Sequence, residues 1–492
     1  MKSRSVLVAV LVVGLFPGVY VLNSCAPSGP QPVQTVTIAD GEIDPAKWGK
    51  GYPSNYDSWL ATKEPRPAGK SRYKKGFDGG VTADKLSEFP FMALLFNGWG
   101  FGIEYNEPRG HYHMVADQLE IDPSRVKAGG ACLTCKTPYA SQLKNEMGVD
   151  YFKKPYLEVH SKISKEAQRL GVACNDCHNN KDMTNRIDRW TLRTALKEIG
   201  KDPDQLTRQE KRSLVCAQCH VTYVVEKDEA GNSVGVFFPW QGSKPEKISV
   251  ENIIKNIRSS EANLEWKHAV TGFKMGFIRH PEYEFFSFDS VHSKANVSCA
   301  DCHMPYTRQG SYKISDHNIT SPIKNGMKSC QQCHSQTPEW LSSQVFAIQD
   351  RTVSMINRAG YATAVAAKLL ESAHKAQAGG KMIDQKLYER AKDLYLEAFY
   401  RVNYIGAENS VGFHNPSEAG RICSDAVAFA MTSQSLLRQA LVQEGVAVPA
   451  DVNLELNKYV HNRGSKKLSF KSDVEFKDPF GLQDQLTPAY GK

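Results

Sequence analysis

Ala131-Cys132-Leu133-Thr134-Cys135-Lys136 is the stretch on which the reading of this chain turns. Four later stretches repeat its cysteine spacing and end differently: Cys174-Asn175-Asp176-Cys177-His178, Cys216-Ala217-Gln218-Cys219-His220, Cys299-Ala300-Asp301-Cys302-His303 and Cys330-Gln331-Gln332-Cys333-His334. Each reads C-x-x-C-H, the attachment signature of c-type haem. Cysteines three apart lie on one side of a helical turn, so both sulfurs reach the two vinyl groups of one porphyrin. The next residue then projects a nitrogen to the iron. In the first copy Lys136 stands where that histidine would be. Four regular sites are expected to move electrons and the irregular one to do chemistry.

Two other uses of cysteine fit less well. Disulfides are the default in an exported chain but predict varied spacings. Zinc cages can be built from C-x-x-C pairs, but neither use explains a histidine after four of them. The twelve cysteines resolve into five pairs plus Cys25 and Cys423. Cys423 falls in a helical pattern and reads as a small buried apolar residue.

The fold class expected is mainly α, a multihaem c-type cytochrome with a haem-packed, irregular N-terminal body (46–340) and long C-terminal helices. Hydrophobic content of 41% in 492 residues allows a core of ordinary size. The formal charge of +8 does not argue for nucleic acid: no Lys/Arg run interleaves with aromatics, and about ten propionates on five haems would reverse the sign. Residues 1–24 read as an export signal, with Lys2 and Arg4 before an apolar run too short for a comfortable membrane span. That run ends in Leu22-Asn23-Ser24-Cys25, which resembles a lipoprotein cleavage box with Cys25 as the lipidated residue. Residues 25–45 suit a flexible tether. The body is therefore expected in the periplasm.

Between Ala46 and Trp340 glycine, proline and aromatic residues interrupt any long period. One hairpin is expected, Val221 to Val225 and Val234 to Phe238 about a turn at 228–232. Beyond Pro338 apolar residues recur at helical spacing over Glu339–Lys375, Ile383–Tyr404 and Ser417–Glu444. Gly379-Gly380 separates the first two, and Asn415-Pro416 opens the third. A first helix of about 37 residues would run about 55 Å. The 341–446 region is expected to form a dimer interface, and 447–492 an irregular tail.

Fourteen histidines are present, and four follow the regular motifs. Electron-carrying haems want a second axial ligand, so four more are needed from His111, His113, His160, His268, His280, His292, His317, His374, His414 and His461. Spacing alone does not choose among them.

The order of these features resembles one family, the pentahaem cytochrome c nitrite reductases that form ammonia, from about Arg109 to Ala419. Its markers here are one C-x-x-C-K before four C-x-x-C-H and Arg109-Gly110-His111 upstream. Others are His220-Val221-x-Tyr223, His280-Pro281-Glu282-Tyr283-Glu284, His292 ahead of Cys299, Asp316-His317 and His414-x-Pro416. The resemblance implies five covalent haems c. It implies distal ligands His111 for the haem on Cys216/Cys219, His292 for Cys330/Cys333, His317 for Cys174/Cys177 and His414 for Cys299/Cys302. His113 is the alternative to His111.

The catalytic haem implied is the one on Cys132/Cys135, with Lys136 as proximal ligand, which binds iron only as a neutral amine. Arg125, Tyr223 and His280 would face its open side, where the anion nitrite is reduced by six electrons to ammonium. His280 would also relay protons. The segment 122–130 is shorter than the family's usual form, and Arg125 fits the place of the active-site arginine best. The resemblance also implies a homodimer and a membrane or periplasmic multihaem cytochrome c as electron donor, handing over near Cys174/Cys177 or Cys330/Cys333.

One departure matters. The family's usual form holds calcium beside this pocket through oxygen ligands. Those positions read Thr222, Phe277 and Arg279, so no calcium is expected, with Arg279 in its place. Alternative readings are a non-catalytic multihaem electron-transfer protein, or a related reductase of hydroxylamine or sulfite.

Overall fold

The structure, a computed structural model, describes residues 36–64, 72–73, 84–125, 129–464 and 477–482. The expected export signal (1–24), Cys25 and most of the tether (25–45) lie outside the described residues, as does part of the 447–492 tail.

Among the described residues before Pro338, helices are short. The longest, Arg208–Ala217, has 10 residues. Three two-stranded antiparallel sheets accompany them. The expected hairpin forms, but starts later: Val224–Lys227 pairs with Ser233–Phe237, Val224 lying opposite Phe237. Val221, Thr222 and Tyr223 stay outside the ladder because a neighbouring helix, Glu282–Ser287, engages their stretch. The Thr222 N–H donates to Glu284 Oε1 at 3.0 Å, and the Tyr283 N–H donates to the His220 carbonyl at 3.1 Å. The other two ribbons, Trp266–Lys267 with Lys274–Met275 and Tyr306–Gln309 with Tyr312–Ser315, are too short to leave a period-2 signature.

Three long helices follow, Pro338–Ala378, Gln385–Ala407 and Pro416–Gln443. The first has 41 residues and is about 60 Å long. Each begins with a side chain satisfying otherwise unpaired N–H groups: Thr337 accepts from Trp340, Asp384 from Lys386 and Leu387, and Asn415 from Glu418. After the first helix Gly380, at φ +86°, turns the chain back. The short connection makes the first two helices a hairpin.

Small residues let the three approach closely, among them Ala364, Ala367, Ala391, Ala398, Ala426 and Ala430, all buried. Ser433 donates to the Ala391 carbonyl at 2.7 Å and Gln434 to the Ala362 carbonyl at 2.8 Å across helices. Cys423 is buried in the third helix. At Gly360 a β-carbon would meet the Phe91 ring at 2.2 Å, so glycine lets that ring lie on the helix backbone. Phe91 also meets Tyr361 edge-on at 5.3 Å, joining body to bundle.

The second long helix reaches toward the haem motifs. Asn403 Oδ1 accepts from the Ile278 N–H at 2.7 Å, and its Nδ2 donates to the Ile278 carbonyl at 3.0 Å. Tyr400 accepts from the Gly276 N–H at 3.0 Å. The strap carrying Arg279 and His280 is thereby anchored to a buried stretch of helix.

Candidate functional site

The variable residues inside the motifs help wind their own turns. In Cys174–Cys177 the Asp176 carboxylate accepts from the Ala173 N–H at 2.8 Å, and in Cys299–His303 Asp301 accepts from the Ser298 N–H at 2.8 Å. Both satisfy N–H groups a helix start leaves unpaired. Other side chains fasten one motif to the next. Buried Arg189 donates to the carbonyls of Thr134 (2.8 Å) and Thr137 (2.9 Å) and pairs with Asp176 at 2.5 Å, tying the first motif to the second. Gln218 donates to the Asp176 carbonyl at 2.9 Å, and Arg212 pairs with Asp301 at 2.6 Å. Ser329 donates to the Cys302 carbonyl, linking fourth to fifth.

One branched cavity of about 2040 Å³ runs through these motifs. All ten motif cysteines line it: Cys132, Cys135, Cys174, Cys177, Cys216, Cys219, Cys299, Cys302, Cys330 and Cys333. So do Lys136, His178, His220, His303 and His334, together with His111, His280, His292, His317 and His414. Across it the rings stand in pairs. Centre-to-centre distances are 6.3 Å for His111 and His220, 5.9 Å for His178 and His317, 6.4 Å for His292 and His334, and 6.2 Å for His303 and His414.

An iron with two imidazole nitrogens at about 2 Å, each about 1.2 Å from its ring centre, needs about 6.4 Å between centres. The donor set therefore fits c-type haem. Two rings also have the tautomer set for it. The Nδ1 atoms of His178 and His303 lie 2.9 and 3.0 Å from the carbonyls of Met183 and Thr320, whereas His317 Nδ1 lies between the Ser315 carbonyl at 2.9 Å and the Asn55 amide nitrogen at 3.2 Å. A carbonyl only accepts, so in His178 and His303 the proton sits on Nδ1 and Nε2 keeps its lone pair. Burial pushes His111, His178 and His303 down to about 4, which keeps them neutral. At His220 and His414 burial is outweighed by the carboxylates of Glu282 and Glu408, and both are raised.

Lys136 has no histidine ring paired across from it among the described residues. Near it the cavity is lined by Arg125, Tyr223, His280 and Arg279. The Arg125 guanidinium lies 4.1 Å from the Phe101 ring centre and forms no ion pair within 4 Å among the described residues, with Glu104 acting on it only at longer range. At Gly100 a β-carbon would meet the Arg125 side chain at 2.9 Å, so that glycine makes room for it. Burial pushes His280 down to about 4, with Glu282 opposing and Lys136 adding to the shift, and raises the Tyr223 phenol above its ordinary range.

Arg279 fills the space beside Tyr223. Its Nη1 donates to the carbonyls of Tyr223 and Phe277, both at 3.1 Å, and its backbone N–H donates to Thr222 Oγ1 at 3.2 Å. Its guanidinium pairs with Glu265 and lies 4.8 Å from the Tyr223 ring centre, among Trp99, Phe101 and Phe277. A guanidinium thus takes the carbonyl oxygens that a hard cation would seek. These residues do not fit calcium.

The remaining histidines do not line the cavity. His113 contacts the Lys63 carbonyl at 2.9 Å, His160 that of Gln168 at 2.7 Å, His268 that of Leu94 at 3.0 Å, and His374 the Tyr388 hydroxyl at 2.6 Å; His461 is exposed. Sequence reading did not find Glu265, Asn409, Glu408 or Arg189, whose partners are remote in the chain. Glu282 stood inside a quoted motif without a role, and proximity to His280 was its only local signal.

Residues 44–487 match the family described as cytochrome c552. The cytochrome c-552 of Bacteroides fragilis is 32% identical over 412 residues, covering 81% of this chain and 77% of the relative. The cytochrome c nitrite reductase subunit NrfA of Nitratidesulfovibrio vulgaris is 31% identical over 427 residues, covering 83% and 81%. Among solved structures, the cytochrome c nitrite reductase of Desulfovibrio desulfuricans superposes with a TM-score of 0.73 at 29% identity, covering 82% of this chain and 88% of that one. That structure is described with two calcium sites in its catalytic subunit.

Proposed function

This chain belongs to the cytochrome c552 family, that of the pentahaem cytochrome c nitrite reductases, and we propose that it reduces nitrite to ammonium at a haem on Cys132 and Cys135 ligated by Lys136. The paired histidines His220 and His111, His178 and His317, His334 and His292, and His303 and His414 would hold four further haems, which would supply electron transfer to that site. The observation that carries this reading is the contrast across one cavity: four imidazole pairs 5.9–6.4 Å apart, and a motif whose Lys136 has no histidine ring paired across from it among the described residues. A purely electron-carrying protein would close every iron.

Cys132, Cys135 and Lys136 would hold this haem, which would supply the redox-active iron at which nitrite is reduced. Arg125, in no ion pair among the described residues, holds the substrate's negative charge. His280 remains neutral and donates a hydrogen bond to a nitrite oxygen. Tyr223, its phenol proton held tightly, donates a second. Arg279 with Glu265 takes the place of the calcium that the resemblance implies beside this pocket, bracing Tyr223 through its carbonyl and its ring.

Electrons come from a redox partner cytochrome, a membrane or periplasmic multihaem cytochrome c. Exposure of Cys333 supports delivery at the Cys330/Cys333 haem, with Cys174/Cys177 as the other candidate. The chain is exported by residues 1–24, tethered in the periplasm through lipidated Cys25, and dimerises through its long helices. Purified, fully haem-loaded protein given reduced viologen and nitrite should form ammonium in steady state, and no ammonium would overturn the proposal. A high-spin EPR signal perturbed by nitrite separates it from an electron-transfer protein, which would show none.

A further inference from the structure

His280 has φ +46°, a conformation side chains rarely adopt, directly before Pro281. Such strain persists where surrounding contacts over-determine it. Here Asn403 grips Ile278 on the chain side, and Asn409 meets the ring itself.

Asn409 Nδ2 lies 3.5 Å from His280 Nδ1 and also donates to Glu282 Oε1. Its backbone N–H donates to the same oxygen at 3.2 Å. Because a carboxylate oxygen accepts, Glu282 turns the amide so that its nitrogen faces both partners. An amide NH₂ donates and never accepts, so His280 Nδ1 must offer its lone pair, and the single ring proton sits on Nε2. Nδ1 being engaged, Nε2 is the nitrogen left to the cavity that His280 lines.

We propose that Asn409 is a positioning residue for nitrite reduction, locking His280 in the Nε2–H tautomer so that the substrate meets a hydrogen-bond donor. Nitrite oxygens gain negative charge as the N–O bonds weaken, and a bare Nε2 lone pair would repel them. An imidazolium would set Nδ1–H against the amide N–H, so the same contact keeps the ring neutral. Glu282 also lies 3.8 Å from His220 Nδ1, which makes one carboxylate the support of both the amide and a paired histidine.

The proposal rests on His280 facing the substrate, and carbon monoxide on the reduced enzyme tests the two separately. A nearby N–H donor lowers the C–O stretch seen by infrared spectroscopy. Asn409→Ala and His280→Ala should both raise it, with the absorbance of the six-coordinate haems unchanged. Asn409→Ala should lower kcat for nitrite about 10- to 100-fold with KM within about twofold. Asn409→Ser, too short to reach Nδ1, should behave alike and serves if the alanine variant does not load haem. A shift in His280→Ala without one in Asn409→Ala or Asn409→Ser overturns the role of Asn409. No shift in any variant overturns the placement of His280 on which that role depends.

Discussion

Arg279 and Glu265 form a two-point ion pair, Nη1 to Oε1 at 2.8 Å and Nη2 to Oε2 at 2.5 Å, with side chains only 4% and 1% exposed. Burial alone would strip the guanidinium of its proton more easily, but Glu265 outweighs it and raises its pKa. The pair is neutral as a unit, which lets a fixed cation sit beside Tyr223 without a metal.

Removing one member leaves the other charged and buried. Arg279→Ala should cost about 3–5 kcal/mol, read as a lower thermal midpoint of haem-loaded protein. Arg279→Ala combined with Glu265→Ala should cost less than the sum of the single changes. The parent enzyme should keep its nitrite activity in a calcium chelator and contain no stoichiometric calcium. A chelator-sensitive activity restored by calcium would refute the replacement.

Lys136→His writes the first motif in the regular form. Covalent attachment depends on Cys132 and Cys135 and should persist, as pyridine haemochrome quantitation would show. Nitrite turnover should fall at least about tenfold, about 1.4 kcal/mol of barrier, because a different ligand changes how the iron shares charge with substrate.

Glu408 lies 2.6 Å from His414 Nδ1, whereas His303 across the same gap meets only a carbonyl. A carboxylate on Nδ1 makes the imidazole a stronger electron donor and favours oxidised iron. Glu408→Gln should therefore raise the reduction potential of the haem on Cys299/Cys302, followed by EPR during potentiometric titration. An unchanged potential would count against that pairing.

Glu284 is fully buried, accepting from the Thr222 N–H at 3.0 Å and from Trp240 Nε1 at 2.8 Å. Its Oε2 has no partner among the described residues, and burial raises its pKa from 4.5 to about 8. The fold holds this proton more tightly than the unfolded chain does. Its contribution to stability is therefore lost as pH rises from about 4.5 to about 8 and is level above that. Glu284→Gln keeps an accepting oxygen and cannot ionise. It should flatten that slope and gain about 1–3 kcal/mol at pH 9, measured by thermal denaturation across pH.

Much of this molecule is written locally. Cysteines three apart on a helical turn, with the next residue beyond them, specify where each haem is attached, because neighbours on one turn need nothing distant. Asn415-Pro416 before an apolar-periodic run marks the start of the third long helix for the same reason. The hairpin at Val224–Lys227 is less legible: Thr222, expected in its first strand, is held by Glu284, and His220 just before it by Tyr283, both far along the chain.

The sequence by itself determined the number and kind of attachment motifs, the odd lysine and the helical bundle that follows. The resemblance implied which histidine faces which, but only the tertiary structure brings those rings face to face, neutralises Arg279 with Glu265 and sets Asn409 against His280. Ligation across a haem, a buried counter-ion and a tautomer lock all depend on groups converging from remote segments. No turn geometry or period records that convergence. It is set by how the strap at 276–280 is pinned to Tyr400 and Asn403, and so by the long helices against which the haem body is built.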